Sequence, residues 1–376
     1  MSAAPEWPVG LARLAQALGR DLQRASRAVG GPEALWGAGR ARLGGALRLS
    51  GAELEEALRL RAAIDVPADV ARLADAGVTV VGLPDVRYPE GLRQLPDPPF
   101  CLFLRGGGAD AGLARLAEGP AVGVVGSRRA TAAGTALAHR LGADLARRGA
   151  AVVSGLAHGI DAAAHEGALA AGGCTVAVLG CGVDVPYPRR NRDLARRVAA
   201  SGALVSEFWP GTPPAPWRFP ARNRIVAGLS GGVAVVEAGV RSGALITADF
   251  ALELGRPVLA VPGWPGALAS EGCNGLLRAG AALLETVDDV VAELADAPWR
   301  PAGDPQAEAV PDGLAAQVHR CLAHEPMDAD ALAETLGADP GEVAGALALL
   351  EVEGLAVRGE GRRYWATPTR VRREGC

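Results

Sequence analysis

Short apolar runs and longer amphipathic stretches alternate along the middle of this chain. Four to six apolar residues recur at Val78–Val81, Ala121–Val125, Ala151–Val153, Val176–Leu179, Val233–Val236 and Val258–Val261, bounded by Gly and Pro. Runs of this length without polar alternation predict strands buried on both faces. Between them, Thr131–Arg148, Asp161–Ala171 and Ala244–Leu254 carry the spacing of amphipathic helices. Strand–helix alternation predicts a parallel sheet with helices on both sides.

The flanks read differently. Residues 8 to about 75 place apolar side chains at helical spacing (Leu11, Leu14, Leu18, Leu22), and Gly30–Gly31, Gly37–Gly39 and Gly44–Gly45 punctuate them into several short helices. Residues 297–312, APWRPAGDPQAEAVPD, form a Pro-rich polar linker. Beyond it, Leu314–Ala323, Asp328–Leu336 and Pro340–Glu353 predict three helices, with Asp328 and Asp339 as N-caps and Pro340 at the first helical position. Leu355–Arg358 and Arg363–Trp365 flank Gly359–Gly361 as a hairpin does. Three helices and a two-stranded wing make a winged helix. The predicted class is α/β: a parallel-sheet core at 76–296, a small helical domain at 1–75, the linker at 297–312 and a winged-helix domain at 313–368.

Composition narrows the setting. With 49% hydrophobic and 21% charged residues, the 376-residue chain is globular in character and long enough for two or three domains. It holds no apolar run of membrane-spanning length, and Met1–Gly10 lacks the pattern of a secretory signal. The six cysteines, at 101, 174, 181, 273, 321 and 376, include no CxxC pair, which disfavours a zinc ribbon or redox motif and fits free thiols in the cytoplasm. All 38 cationic residues are arginine, a bias that fits a GC-rich genome. A phosphate contact here must therefore come from a planar guanidinium, a hydroxyl or a backbone amide. The net charge of −4 argues against a coat of positive charge but not against a local patch.

In an open parallel sheet, ligands bind beyond the carboxyl ends of the strands. After Ala121–Val125 come Gly126, Ser127, Arg128 and Arg129, where glycine, a hydroxyl and the following helix N-terminus make an anion site. It is not GxGxxG, so dinucleotide binding is weakly supported. A second glycine turn follows Ala151–Val153, from Ser154 and Gly155 to Asp161. A third, Gly180–Asp184, leads to Tyr187-Pro188-Arg189-Arg190, and a fourth carries Ser242 and Gly243. One such turn is ordinary connection chemistry. Four on one edge predict a composite phosphate-reading edge.

Residues 186–224 sharpen this. They hold eight arginines and two acids, with Tyr187, Phe208, Trp209, Trp217 and Phe219 among them. Guanidinium groups with stackable rings suit single-stranded nucleic acid. Arg196 and Arg197 read as a solvated helix face. Phe219, Arg222, Asn223 and Arg224, in FPARNR, read as a loop whose cations need a partner.

Catalytic readings are weaker. His158, Asp161 and His165 have helical spacing for a zinc site, yet His158 falls ahead of the helix and Asp161 reads as its cap. Glu237 ends a strand, where a general base could sit, but no partner for it lies near in sequence. Without lysine, a P-loop in its usual form is excluded.

GSR at 126–128, SGLAHGIDAAAHEGAL at 154–169, VAVLGCGVDVPYPRRN at 176–191, FPARNRIVAGLS at 219–230, VVEAGVRSGALITADFALELGRPVLAVPG at 235–263 and GCNGLLRAGAAL at 272–283 occur in that order. Together they resemble the DNA-processing protein A family (DprA, also called Smf), and the resemblance covers roughly 80–290. It implies an extended Rossmann fold, a homodimer, binding of single-stranded DNA and loading of RecA recombinase in natural transformation, with no cofactor and no catalysis. It also places Arg128 in a basic DNA pocket, and position extends this to Arg222 and Arg224. The candidate DNA contacts are Gly126, Ser127, Arg128, Arg129, Gly155, Arg189, Phe219, Arg222, Asn223, Arg224, Ser242 and Gly243. Two rivals stand beside this reading. One is a nucleotide phosphoribohydrolase using Glu237, although the chain has EAGVRSG where those enzymes characteristically carry a PGGxGT turn. The other is a duplex-reading regulator, although Pro340–Glu353 holds no arginine to read a groove.

Overall fold

A computed structural model of the chain describes residues 6–107, 109–185, 187–300, 313–352, 355–359 and 362–366. Most of the linker and the last residues assigned to the winged helix lie outside the described residues.

The core is one nine-stranded sheet. In chain order its strands are β1 (Val78–Gly82), β2 (Cys101–Arg105), β3 (Ala121–Val125), β4 (Ala151–Ser154), β5 (Thr175–Val178), β6 (Ala203–Ser206), β7 (Gly232–Val235), β8 (Val258–Ala260) and β9 (Ala282–Leu283). They lie in the order β1-β2-β6-β5-β4-β3-β7-β8-β9. The seven strands from β6 to β9 pair in parallel, while β1 and β2 pair antiparallel at one edge. The six apolar runs all became strands. The strands β2, β6 and β9 were not among them.

Side-chain alternation explains why the parallel strands are apolar throughout. Val122 and Val124 of β3 join Leu141, Leu145, Ile160 and Ala164 in one layer, whereas Val125 faces the other, with Ile225, Val226, Ala244 and Ala248. Each strand therefore serves two cores. The first layer is built by the helices Ala132–Arg147 and Ile160–Ala170, the second by Arg218–Leu229 and Gly243–Glu253.

The sheet reverses direction at its centre. From β3 the chain winds outward through β4, β5 and β6, then returns to lay β7 on the other side of β3. The loops that leave β3 and β7 thus diverge and open a crevice between them, the usual ligand position in such sheets.

Six short helices between Trp7 and Asp75 close a separate core around Leu11, Leu14, Leu35 and Leu43. At the other end, the helices Leu314–His324, Ala329–Leu336 and Pro340–Val352 pack around Val318, Leu332, Val343 and Leu347, with the hairpin β10 (Ala356–Arg358) and β11 (Tyr364–Ala366) beside them. Asp328 caps its helix by accepting from the Ala331 N–H at 2.8 Å, and Asp339 accepts from Gly341 N–H at 2.8 Å. No described helix is long and apolar enough to cross a membrane.

Two glycines set the spacing of the helices that frame the crevice. A β-carbon on Gly142 would strike the Ala164 carbonyl, and one on Gly167 would strike the His139 carbonyl. Ala132–Arg147 and Ile160–Ala170 pack backbone to backbone for that reason. Gly167→Ala is expected to lower stability by about 1–3 kcal/mol as the helices are forced apart. Its denaturant midpoint should fall, and an unchanged midpoint would show that the close approach is not structural.

Candidate nucleic-acid interface

The crevice encloses about 740 Å³. Gly126, Ser127, Arg128 and Arg129 line it from the end of β3, Phe219, Arg222 and Asn223 from the helix Arg218–Leu229, and Arg241, Ser242 and Gly243 from the turn beyond β7. Nine of the twelve candidate residues thus meet in one cleft.

The β3 turn is held from below. Ser127 N–H donates to the Glu237 carbonyl at 2.7 Å, its carbonyl accepts from Ile160 N–H at 3.2 Å, and its hydroxyl accepts from Arg129 N–H at 3.1 Å. Gly159 packs so closely on the Ser127 carbonyl that a β-carbon would collide, and its φ of 76° favours glycine as well. The turn is thereby fixed while Arg128 reaches into solvent, with its guanidinium 5.2 Å from the centre of the Phe219 ring. Phe219 lies against Tyr187, ring centres 5.5 Å apart and tilted 30°.

Arg222 is the unusual group. Its residue is only 4% exposed, and its Nε has no hydrogen-bond partner. Gly155 does not line the cleft. It stands behind Arg222, where a β-carbon would collide with Nη1, so the glycine makes room for the guanidinium. Opposite charge comes from Asp161, which is buried and accepts from the N–H groups of Gly155 and Ala157 at 3.2 and 3.3 Å. Burial pushes the Asp161 carboxyl above the usual carboxylate range, and Arg222 draws it back. Burial likewise depresses Arg222, Asp161 opposes this, and the nearby Arg128 adds to it. The charge of Arg222 is thus opposed by Asp161, while its Nε remains a buried donor without a partner.

The rest of the cleft is held by amide and cap bonds. The Asn223 Nδ2 donates to the Gly243 carbonyl at 3.1 Å, joining Arg218–Leu229 to the start of Gly243–Glu253. Ser242 caps that helix, its hydroxyl accepting from Ala244 N–H at 3.3 Å.

Three expectations are corrected. FPARNR is not a loop, because the helix begins at Arg218 and includes it. At roughly 100° per residue, Arg222 and Arg224 point about 200° apart, so they cannot both face the cleft. Arg224 points inward instead. It meets both carboxylate oxygens of Glu207 at 2.8 and 2.7 Å, and its Nε lies 3.2 Å from Asp97. Burial alone would depress this guanidinium, but the two carboxylates outweigh that and hold it above its ordinary value. Arg189 sits exposed on a short 3-10 turn and does not line the cleft, although Tyr187, two residues earlier, does.

The catalytic candidates are accounted for by structure. Both oxygens of Glu237 accept from Thr131 N–H, at 3.2 and 3.1 Å, and one also accepts from its hydroxyl at 2.6 Å. The carboxylate thus anchors the start of Ala132–Arg147 and does not line the cleft. His165 is buried with Nδ1 2.6 Å from the Thr175 hydroxyl, and burial lowers it to about 3, so its ring is neutral. His158 is exposed ahead of its helix. The trio does not converge.

The fold and cleft define a Rossmann-like α/β protein with an arginine-lined cleft at the switch point of its sheet and a winged helix at its C-terminal end. Residues 79–295 match the family of DNA recombination-mediator protein A, and residues 302–362 match the DprA winged helix domain. The chain belongs to the DNA recombination-mediator protein A family. It is 46% identical over 246 residues to a candidate DNA processing protein DprA of Mycobacterium tuberculosis, a match spanning 64% of this chain and 63% of that one. It is 39% identical over 274 residues to protein Smf of Escherichia coli, covering 71% and 72% of the two chains. Among solved structures, DNA processing protein A of Streptococcus pneumoniae superposes with a TM-score of 0.59 at 33% identity, covering 78% of this chain and 94% of that one. The Helicobacter pylori protein, solved for its single-stranded DNA binding mode, gives 0.52 at 29% identity, covering 58% and 96%.

The Arg224 ion pair gives a direct test of its assignment. Arg224→Met would strand the Glu207 carboxylate in the interior and is expected to cost about 3–5 kcal/mol in stability. Thermal unfolding should show the loss. A stable variant with weakened oligonucleotide binding would return Arg224 to the interface.

Proposed function

We propose that this protein binds single-stranded DNA in the switch-point cleft and, without altering it chemically, passes it to a recombinase of the RecA type. The observation that carries this reading is Arg222, a buried guanidinium with an unsatisfied Nε in a cleft that Arg128, Arg129 and Arg241 also line. Phosphates would pair with the exposed guanidinium groups of Arg128, Arg129 and Arg241. Phe219 and Tyr187 offer ring faces for unpaired bases. The Helicobacter pylori relative was solved for its single-stranded DNA binding mode, and the family's description as a recombination mediator supports the hand-off. Self-association and a cytoplasmic setting belong to the same reading. Leu283 is exposed on β9, the strand that ends the sheet, and offers an apolar edge for a second copy. Glu237, the base that a phosphoribohydrolase would need, is occupied by Thr131.

Fluorescence anisotropy of a labelled single-stranded oligonucleotide tests this, with wild type and Arg128→Ala compared and a duplex as competitor. Neutralising about four phosphates predicts about fiftyfold weaker binding between 50 and 200 mM salt, from a slope of roughly −0.7 per phosphate. Arg128→Ala should reduce that slope by roughly one contact. A slope near zero, or binding indifferent to Arg128, would contradict the reading.

A further inference from the structure

A second cavity of about 590 Å³ adjoins the cleft. The two share Tyr187, whose residue is 40% exposed. From there the groove runs along the helix Arg192–Ser201 to the junction of β2 and β6, where Arg105 lies opposite Leu204. Its lining is apolar at the half-buried Val185, Ala195 and Ala199, over the buried Leu156, Leu179 and Val183. Arg105, Arg192 and Arg196 supply positive charge, against Asp184. Arg196 is engaged by Asp193. Arg105 and Arg192 are exposed, and neither has an ion pair among the described residues.

An apolar lining with cations beside it matches one polymer above others. A single nucleic-acid strand presents flat apolar bases and a line of phosphates, and each half of that chemistry has its counterpart here. A folded partner would need a broader surface, and a membrane a convex one. Charge complementarity and continuity with the cleft through an aromatic side chain point the same way.

We infer that the groove is a second subsite for the same single strand, entered across Tyr187, with bases against the apolar lining and phosphates on Arg105 and Arg192. This rests on the cleft reading and extends it. The cleft holds the strand where Arg222 lies buried, and the groove sets how long a strand is bound and in which direction it leaves.

The two subsites separate by length. Salt-dependent anisotropy would be measured on the full chain with oligothymidylates of increasing length, for wild type, Arg105→Gln with Arg192→Gln, and Arg128→Ala. For wild type, affinity should rise in two stages as the strand first fills the cleft and then the groove. The double variant should bind the shortest strands as wild type does and lose the second stage. Its salt slope on long strands should be shallower by about 1.4, at roughly 0.7 for each phosphate released. Arg128→Ala should weaken strands of every length. Long-strand binding unchanged in the double variant while Arg128→Ala weakens all lengths would overturn the groove and leave the cleft standing. Binding that ignores Arg128 at every length would overturn the cleft itself, and the groove with it.

Discussion

The Arg222 guanidinium is pressed against the backbone of Gly155, and the geometry of the cleft follows from keeping it there. It reaches that position because Gly155 lacks a β-carbon and because Asp161, held by two backbone N–H groups of the same turn, offsets its charge. The turn is in turn steadied by Asn191, whose amide donates to the carbonyls of Leu156 and Ala157 at 2.9 and 3.2 Å. Leu156, a non-glycine residue at a φ of 57°, is held in a left-handed conformation beside these bonds. Burying a cation with one donor unmatched costs free energy, which Asp161 offsets in part.

The sheet topology makes the cleft possible. Because β7 returns to the opposite side of β3, the turns bearing Ser127 and Ser242 part company and leave space between them. Cap bonds and close glycine contacts then fix the walls: Glu237 on Thr131, Gly159 under Ser127, Asn223 on Gly243. Their effect is to hold Arg128, Phe219 and Arg222 in place, a preorganisation that would lower the ordering cost of binding a strand there.

Much of this was legible from the sequence. The buried strands announced themselves as unbroken apolar runs, and the glycine turns after β3 and β7 located the edge where the cleft opens. The strands β2, β6 and β9 were not among the apolar runs: β2 follows the proline-rich DPPF segment, and the two residues of β9 carry no periodicity. The role of Arg224 was not readable, since its partners Asp97 and Glu207 lie far away in sequence and only folding brings them together. The same holds for Gly155. A glycine in SGLAHG reads as turn chemistry, and only the structure shows that its missing side chain is the space Arg222 occupies. Helix geometry could have separated Arg222 from Arg224 had FPARNR been read as the start of a helix, but the proline at 220 suggested a loop. Proline is tolerated in the first helical turn, where its N–H has no partner to lose.

The most direct test replaces the buried guanidinium and follows stability beside affinity, because the change also takes from Asp161 its opposite charge. Arg222→Gln keeps a polar side chain beside Asp161 and removes the charge. Single-strand affinity for this variant would be measured beside its thermal unfolding. The account predicts a loss of about tenfold or more, the scale of one charged hydrogen bond at a phosphate, in a protein that still unfolds cooperatively. Undiminished affinity in a folded variant would mean that Arg222 is structural and that the strand is held elsewhere.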